Sequence, residues 1–431
     1  MENGKTKEFS SALDRGFISM KPAKDASAKK FPISFWNYRR YGDGMTPDEV
    51  KTWAELGLTV AMAPMLSWEN DPHDALLPFL DEAEKAGIKL ILSIEGVEYH
   101  DVLRLGKDEV RRRLEELFRI YRHPALFGVY AGDEPSGEDA FRAAVETVKM
   151  MKEIAPEYEP YLNLHGGMDL VPEEEFGGKP FGKWLADFAR ETGFSIFSYG
   201  HYDQVDGTER GIESFYREIV PLRAAADAAG VDVWNTQLSS AHYTHAVPTE
   251  YQFMWQITVA AALGSRGIVW FRLYDRPHGP NYHGSPIDEY GYRTASFLPF
   301  LHANRRFADH FGELMMRLRF REAFFSQRDH AGFGKLPEGA RPFLARVDGP
   351  DAIVSFFSDR ETGEEYIAVV NPSQTEQGVF RPVFDREKYS LFEVMFNGST
   401  LMEYTLGTTD DPWDGIWLYP GQMTVLKPRA K

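Results

Sequence analysis

Two adjacent carboxylates and a proline, Asp133-Glu134-Pro135, end the apolar run Leu126-Phe127-Gly128-Val129-Tyr130. A run of that kind suits a buried strand. A strand that delivers acids to its C-terminal edge is where a parallel α/β barrel keeps its chemistry. A helix signal follows, in which Ser136 is placed to cap and Asp139 stands three residues on. Acids before a helix also complement its positive end, so the pair by itself decides nothing.

The residues just past the other apolar runs sharpen the reading. They are Trp36, Trp68 with Glu69, Glu95, Asn163 with His165, Tyr199 through His201 and Tyr202 to Asp203, Trp234 with Gln237, and Trp270 with Asp275. Carboxylates, neutral hydrogen-bonding groups and flat aromatic faces occur together in this set. Glycoside hydrolysis needs all three: an acid for the leaving oxygen, partners for hydroxyls, and rings for the apolar faces of sugars. Glu134 is the expected general acid, aimed by the proline after it and raised in pKa by an aromatic-lined pocket. Asp133 is equally well read as the partner of a rim arginine or hydroxyl.

Positioning such a set requires alternating strands and helices. Short apolar runs begin at Phe31, Leu58, Ile88, Leu126, Tyr161, Phe194, Val231 and Gly267, with amphipathic patterns between them. The helix starts Thr46-Pro47-Asp48-Glu49 and Thr249-Glu250-Tyr251-Gln252 both read as capping boxes. Eight strand–helix units predict an α/β fold, a (β/α)8 TIM barrel over residues 31–320. No glycine-rich phosphate loop follows any strand, which weighs against an open doubly wound sheet. Beyond about Phe320 the helical stripes stop. Runs such as Ala352–Phe357 and Tyr366–Val370, broken by Thr-Gly and Asn-Pro turns, predict a small all-β sandwich over 321–431. Residues 1–30 read as a polar N-terminal arm.

A formal net charge of −17 argues against nucleic acid or an anionic membrane surface as the main partner. The 431 residues contain no cysteine, so disulfides and thiolate metal sites are excluded. No apolar run reaches the roughly 18 residues of a membrane helix, and the N-terminus lacks a signal-peptide core. Cytoplasmic residence and a start after a removed leader both fit. Oligomeric state is not legible.

The barrel looks like the clan A glycoside hydrolases. Their strand-four Asn-Glu-Pro motif, which presents the acid/base, resembles Asp133-Glu134-Pro135. Their strand-six aromatic or histidine cluster is similar to Tyr199-Gly200-His201-Tyr202, and their strand-eight stacking tryptophan to Trp270. More closely, the chain from about Phe31 onward resembles uncharacterised glycosidases with an Asp-Glu-Pro strand four and a terminal β-sandwich. In those, a Gln ends strand seven and a Pro-Thr-x-Glu-like helix start follows, as with Gln237 and Pro248-Thr249-Glu250 here. The resemblance implies a glycosidase acting on an oligosaccharide or glycoconjugate, with no cofactor.

One departure is chemical. Clan A enzymes place a nucleophilic glutamate on strand seven, and a neutral Gln237 cannot serve as one. The second carboxylate then comes from Asp203, Glu95 or Asp275, or Gln237 orients a water or a substrate hydroxyl or acetamido group. Otherwise the barrel binds carbohydrate without cleaving it. His165, His201, His242, His245, His278 and His283 raise a third reading, a metal-dependent hydrolase. No His-x-His follows the first strand and no His-Glu-x-x-His helix occurs, so no metal is expected.

Overall fold

The computed structural model describes residues 29–277 and 283–431. The N-terminal arm therefore lies almost wholly outside the described residues, as does His278.

Eight parallel strands form one sheet: β1 (Ile33–Phe35), β2 (Val60–Met62), β3 (Lys89–Leu92), β4 (Leu126–Asp133), β5 (Glu159–Leu164), β6 (Ile196–Gly200), β7 (Asp232–Leu238) and β8 (Gly267–Phe271). β1 pairs with β8, and the order then runs down through β7 to β2. The ring draws shut where Thr59 N–H donates to Ile33 O (3.0 Å) and Ile33 N–H donates to Thr59 Oγ1 (2.9 Å). This is a (β/α)8 barrel.

Alternation along each strand splits the apolar residues into two layers. Ile268 and Trp270 of β8 join the jacket between strands and helices, while Val269 and Phe271 join a lumen cluster. That lumen is aromatic, with Trp36, Tyr130, Tyr161 and Trp234 at its centre. Trp36 meets Tyr130 edge-on at 5.6 Å and Tyr161 at 6.1 Å. The helices follow their apolar stripes: Val110, Leu114, Leu117 and Phe118, with Arg113, are the buried positions of Lys107–Ile120.

Two local expectations change. The helix after β4 spans Glu138–Ile154 with Gly137 at its cap, and no side chain caps it. Ser136 is not the cap; Gly137 N–H is instead taken by Glu175 Oε2 at 2.9 Å. The first helix starts at Glu49 behind a helical Asp48 that makes no capping bond. The helical run after β8 is made of Phe297–Phe307, a π turn and Glu313–Arg317. The second capping box does form, through Thr249 and Gln252.

The C-terminal strands build two antiparallel sheets. Six strands pair as Leu318–Phe325, Ile353–Asp359, Glu365–Val370, Met423–Ala430, Tyr389–Met395 and Thr400–Glu403, in that spatial order. Three more, Arg346–Asp348, Gly378–Val383 and Ile416–Leu418, form the second sheet. Phe343, Val354, Phe356, Ile367, Phe380 and Leu426 fill the sandwich between them. The helix Glu250–Ala262 is buried on nearly every side because this module covers it. Trp255 Nε1 donates to Pro372 O at 2.7 Å across the junction.

His330 forms a second tie. It lies between Glu213 on the helix Glu209–Ala229 and Asp351, with Nε2 2.7 Å from Asp351 and Nδ1 against Glu213. Burial alone would lower its pKa, but the two carboxylates outweigh burial and hold it above the ordinary histidine value. The contribution is therefore complete below the unfolded value of about 6.5 and is lost as pH rises through the higher folded value. Glu213 is depressed despite its burial, by Ala331 N–H and His330, so its share is lost as pH falls instead. We expect the melting-temperature gap between the native chain and His330→Gln to peak near pH 5.5 and shrink toward pH 9. A gap independent of pH would sink this account.

Candidate active site

The site is set by an irregularity in β4. Pairing with β5 shifts register between Tyr130 and Gly132, so Ala131 is extra, and Asp133 then comes opposite Asn163. Such a bulge re-aims the residues that follow it. Gly132 has φ 138°, and a Cβ there would lie 2.2 Å from the Tyr99 ring. Only glycine allows this approach, which also lets Tyr99 OH donate to Asp133 O at 3.0 Å. Glu134 follows in the left-handed region at φ 45°, its N–H on Asn163 O at 2.9 Å.

Asp133 and Glu134 thus leave the same strand end into different surroundings. Glu134 is exposed. Asp133 is half-buried, and Asn163 Nδ2 donates to its Oδ1 at 2.9 Å. Burial pushes the Asp133 carboxyl up to about 6; the Asn163 bond opposes that rise and the Glu134 charge adds to it. The enclosed environment expected for Glu134 is therefore found one residue earlier.

Asn163 cannot flip without cost. Ser198 Oγ donates to its Oδ1 at 2.9 Å and Thr236 Oγ1 at 3.3 Å, and Tyr161 OH stands 3.0 Å behind Ser198. With both hydroxyls on its oxygen, the amide must present its NH2 to Asp133. Around the pair stand Tyr38, Tyr202 and Tyr130, all with pKa values raised first by burial and then in part by the Asp133 charge. The Glu134 charge adds to the rise at Tyr38, Tyr202 and Tyr99, so both carboxylates face the same mouth. The Arg272 guanidinium lies 5.1 Å over the Tyr38 ring and that of Arg276 4.5 Å over it. A cleft of about 250 Å³ opens there, lined by Tyr38, Arg39, Arg272, Tyr274, Asp275 and Arg276 among others.

Other expected site residues are placed differently. Trp36 is in the lumen, stacked on Tyr38 at 6.0 Å, and Trp234 lies deeper beside Phe127 and Tyr161. Trp270 points into the jacket, fully buried against Phe253 and Phe300, with Nε1 on Asn304 Oδ1 at 2.9 Å. It presents no face to the mouth, because it sits one strand position off the lumen side. Tyr199, stacked on Phe197, is in the jacket for the same reason. Trp68 stacks on His73 at 4.0 Å, under Arg113, and is likewise withdrawn.

The expected second carboxylates are each committed elsewhere. Glu95 forms a two-pronged pair with Arg40 (2.8 and 2.6 Å). Asp203 is exposed and accepts from Ser214 Oγ at 3.2 Å. Asp275 borders the cleft but takes the N–H groups of Gly284 (3.1 Å) and Ser285 (2.8 Å). Gln237 is fully buried; its Oε1 accepts from Gln204 at 2.9 Å and its Nε2 donates to Gln256 O at 3.4 Å. His201 is held by Glu218, and His165 Nδ1 is 2.6 Å from Gly166 O. Among the described residues no three His, Asp or Glu side chains converge as a metal site.

Sequence reasoning missed Tyr38, Arg272 and Glu98. The first two flank runs already identified as strands, and their charge and hydroxyl were signal enough. Glu98 is 6% exposed, and burial, helped by Asp101, Glu95 and Asp133, raises its carboxyl to about 8. Nothing local in Gly96-Val97-Glu98 announces that.

Neither a protein-family model nor a curated protein sequence matches the chain. Solved structures do. A family 5 glycoside hydrolase from Bacteroides vulgatus ATCC 8482 aligns over 92% of this chain and 89% of its own, at TM-score 0.57 and 11% identity. A family 39 glycoside hydrolase from the gut symbiont Bacteroides cellulosilyticus WH2 aligns over 93% and 81%, at TM-score 0.52 and 13% identity. A third structure, described as a glycoside hydrolase, aligns over 92% of both chains at TM-score 0.52 and 12% identity. At such identities the likeness shows the fold alone: a TIM barrel with a C-terminal β-sandwich.

Removing the Asn163 amide should raise Asp133 further, since that bond favours the charged form. We expect Asn163→Ala to titrate the Asp133 carboxyl above about 6 in carbon-13 NMR. An unchanged or lowered value would contradict the assigned network.

Proposed function

We propose that the chain is a glycoside hydrolase acting on an oligosaccharide or glycoconjugate, with Glu134 as general acid. One observation carries this: the Asp133–Glu134 pair stands at the open C-terminal end of β4, among the phenols of Tyr38 and Tyr202. Glu134 is solvent-reachable, backbone-fixed through Asn163 and followed by Pro135, so its proton meets a leaving oxygen at the mouth. Tyr38 over Trp36 supplies an aromatic wall for a sugar face. The likeness to glycoside hydrolases over 92 to 93% of the chain supports the same class, although fold alone does not choose a chemistry.

A second reading is a carbohydrate-binding barrel without catalysis. It is favoured by Gln237, whose amide is tied inside the protein where a nucleophile would be needed. The two part on turnover. We expect Glu134→Gln to lower kcat/KM on a cleaved glycan by about 10² to 10⁴, the usual worth of a general acid. Its melting temperature should not move, because the side chain is exposed. Full hydrolysis by that variant would refute the assignment, and sugar binding without turnover by the native chain would favour the silent barrel.

A further inference from the structure

Resting on the glycosidase reading, a question of charge remains. As the glycosidic bond breaks, positive charge grows at the anomeric carbon, and a group opposite the acid must meet it. Among the described residues that group is hard to find on the protein. Gln237 is neutral and enclosed. Glu95 is paired with Arg40, Asp203 is turned out to Ser214, and Asp275 is saturated by two backbone N–H groups. Glu218 is shared between His201 and the Gly167 N–H. Glu98 is buried and keeps its proton at neutral pH. Asp43, on the cleft wall, accepts from the Arg40 N–H, which leaves Asp133 as the carboxyl beside Glu134, its neighbour on the same strand end. Acid and nucleophile attack opposite sides of the sugar, so consecutive residues on one strand end are badly placed for those two roles.

We propose that the substrate carries its own nucleophile, a 2-acetamido group trans to the scissile bond, and that Asp133 receives the N–H of that group. The acetamido carbonyl oxygen bonds to C1 as the C1–O glycosidic bond breaks, and the leaving oxygen takes the proton of Glu134. The bicyclic oxazolinium ion that results keeps its N–H, held by the Asp133 carboxylate. Water then attacks C1 and yields its proton to Glu134, the C1–O bond of the ring breaks, and the acetamide is restored. The product keeps the anomeric configuration.

The surroundings of Asp133 fit that task. Its Oδ1 is anchored by Asn163 Nδ2 at 2.9 Å, whose own oxygen is fixed by Ser198 and Thr236, so the carboxylate meets the N–H without reorganising. The neighbouring hydroxyls of Tyr38 and Tyr202 are donors that stay protonated, suited to the acetamido carbonyl.

The test compares matched 4-nitrophenyl glycosides and natural glycans that differ in the 2-substituent, acetamido against hydroxyl, on the native chain. Cleavage confined to 2-acetamido sugars, with retention by NMR, is expected. Replacing N-acetyl by N-trifluoroacetyl, a poorer nucleophile, should lower kcat by about tenfold or more. A thiazoline mimic of the bicyclic ion should raise the melting temperature of the native chain and not of Asp133→Ala. Asp133→Asn should lose kcat more than KM on 2-acetamido substrates, which loss of fold would not do selectively. Cleavage of 2-hydroxy sugars with Glu134-dependent turnover would overturn this inference and leave the glycosidase reading standing. No cleavage of either series would overturn both.

Discussion

The hydrogen bond from Asn163 to Asp133 is the contact on which this site depends. It exists because a single extra residue, Ala131, brings β4 and β5 into register at their C-terminal ends. It is directional because two hydroxyls occupy the other end of the amide. Its electrostatic effect is to hold down a carboxyl that burial would otherwise push higher than about 6. Geometry and ionisation are thus fixed by the same atoms, and neither survives without the bulge.

The sandwich reaches the same region from outside. Gln374, in the turn after the strand Glu365–Val370, donates to Gln204 O at 2.8 Å and accepts from Gln252 Nε2 at 3.0 Å. Gln204 in turn joins Gln237 and Gln256. A chain of amides therefore runs from the second module to the rim segment that carries His201 and Tyr202. Buried amides of this kind are stable only when nearly every donor and acceptor is matched. That requirement explains why position 237 holds a neutral amide: an ionised carboxylate there would face Gln256 O across a dry interior.

Much of this was legible in the chain. Apolar runs separated by amphipathic patterns predict the eight strands and the helices between them, and the end of those patterns marks the change to β structure near Phe320. What could not be read was which side of a strand each residue takes. Trp270 and Tyr199 have the right chemistry at the right strand ends, yet a one-residue offset turns them from lumen to jacket. Ser136 looked like a cap, but Glu175, distant in sequence, answers the backbone first. Glu98 and the bulge at Ala131 are tertiary facts, set by what packs over the chain.

The same limit explains how the roles of Asp133 and Glu134 separate. Sequence presents them as near equals, two acids in a row before a proline. The left-handed turn at Glu134 parts them, leaving one exposed and the other half-buried against an amide. Two like groups given different environments take different tasks, one moving a proton and one holding a charge in place. Position 237 adds no third charge to that pair: its amide belongs to the buried glutamines that serve the junction with the sandwich.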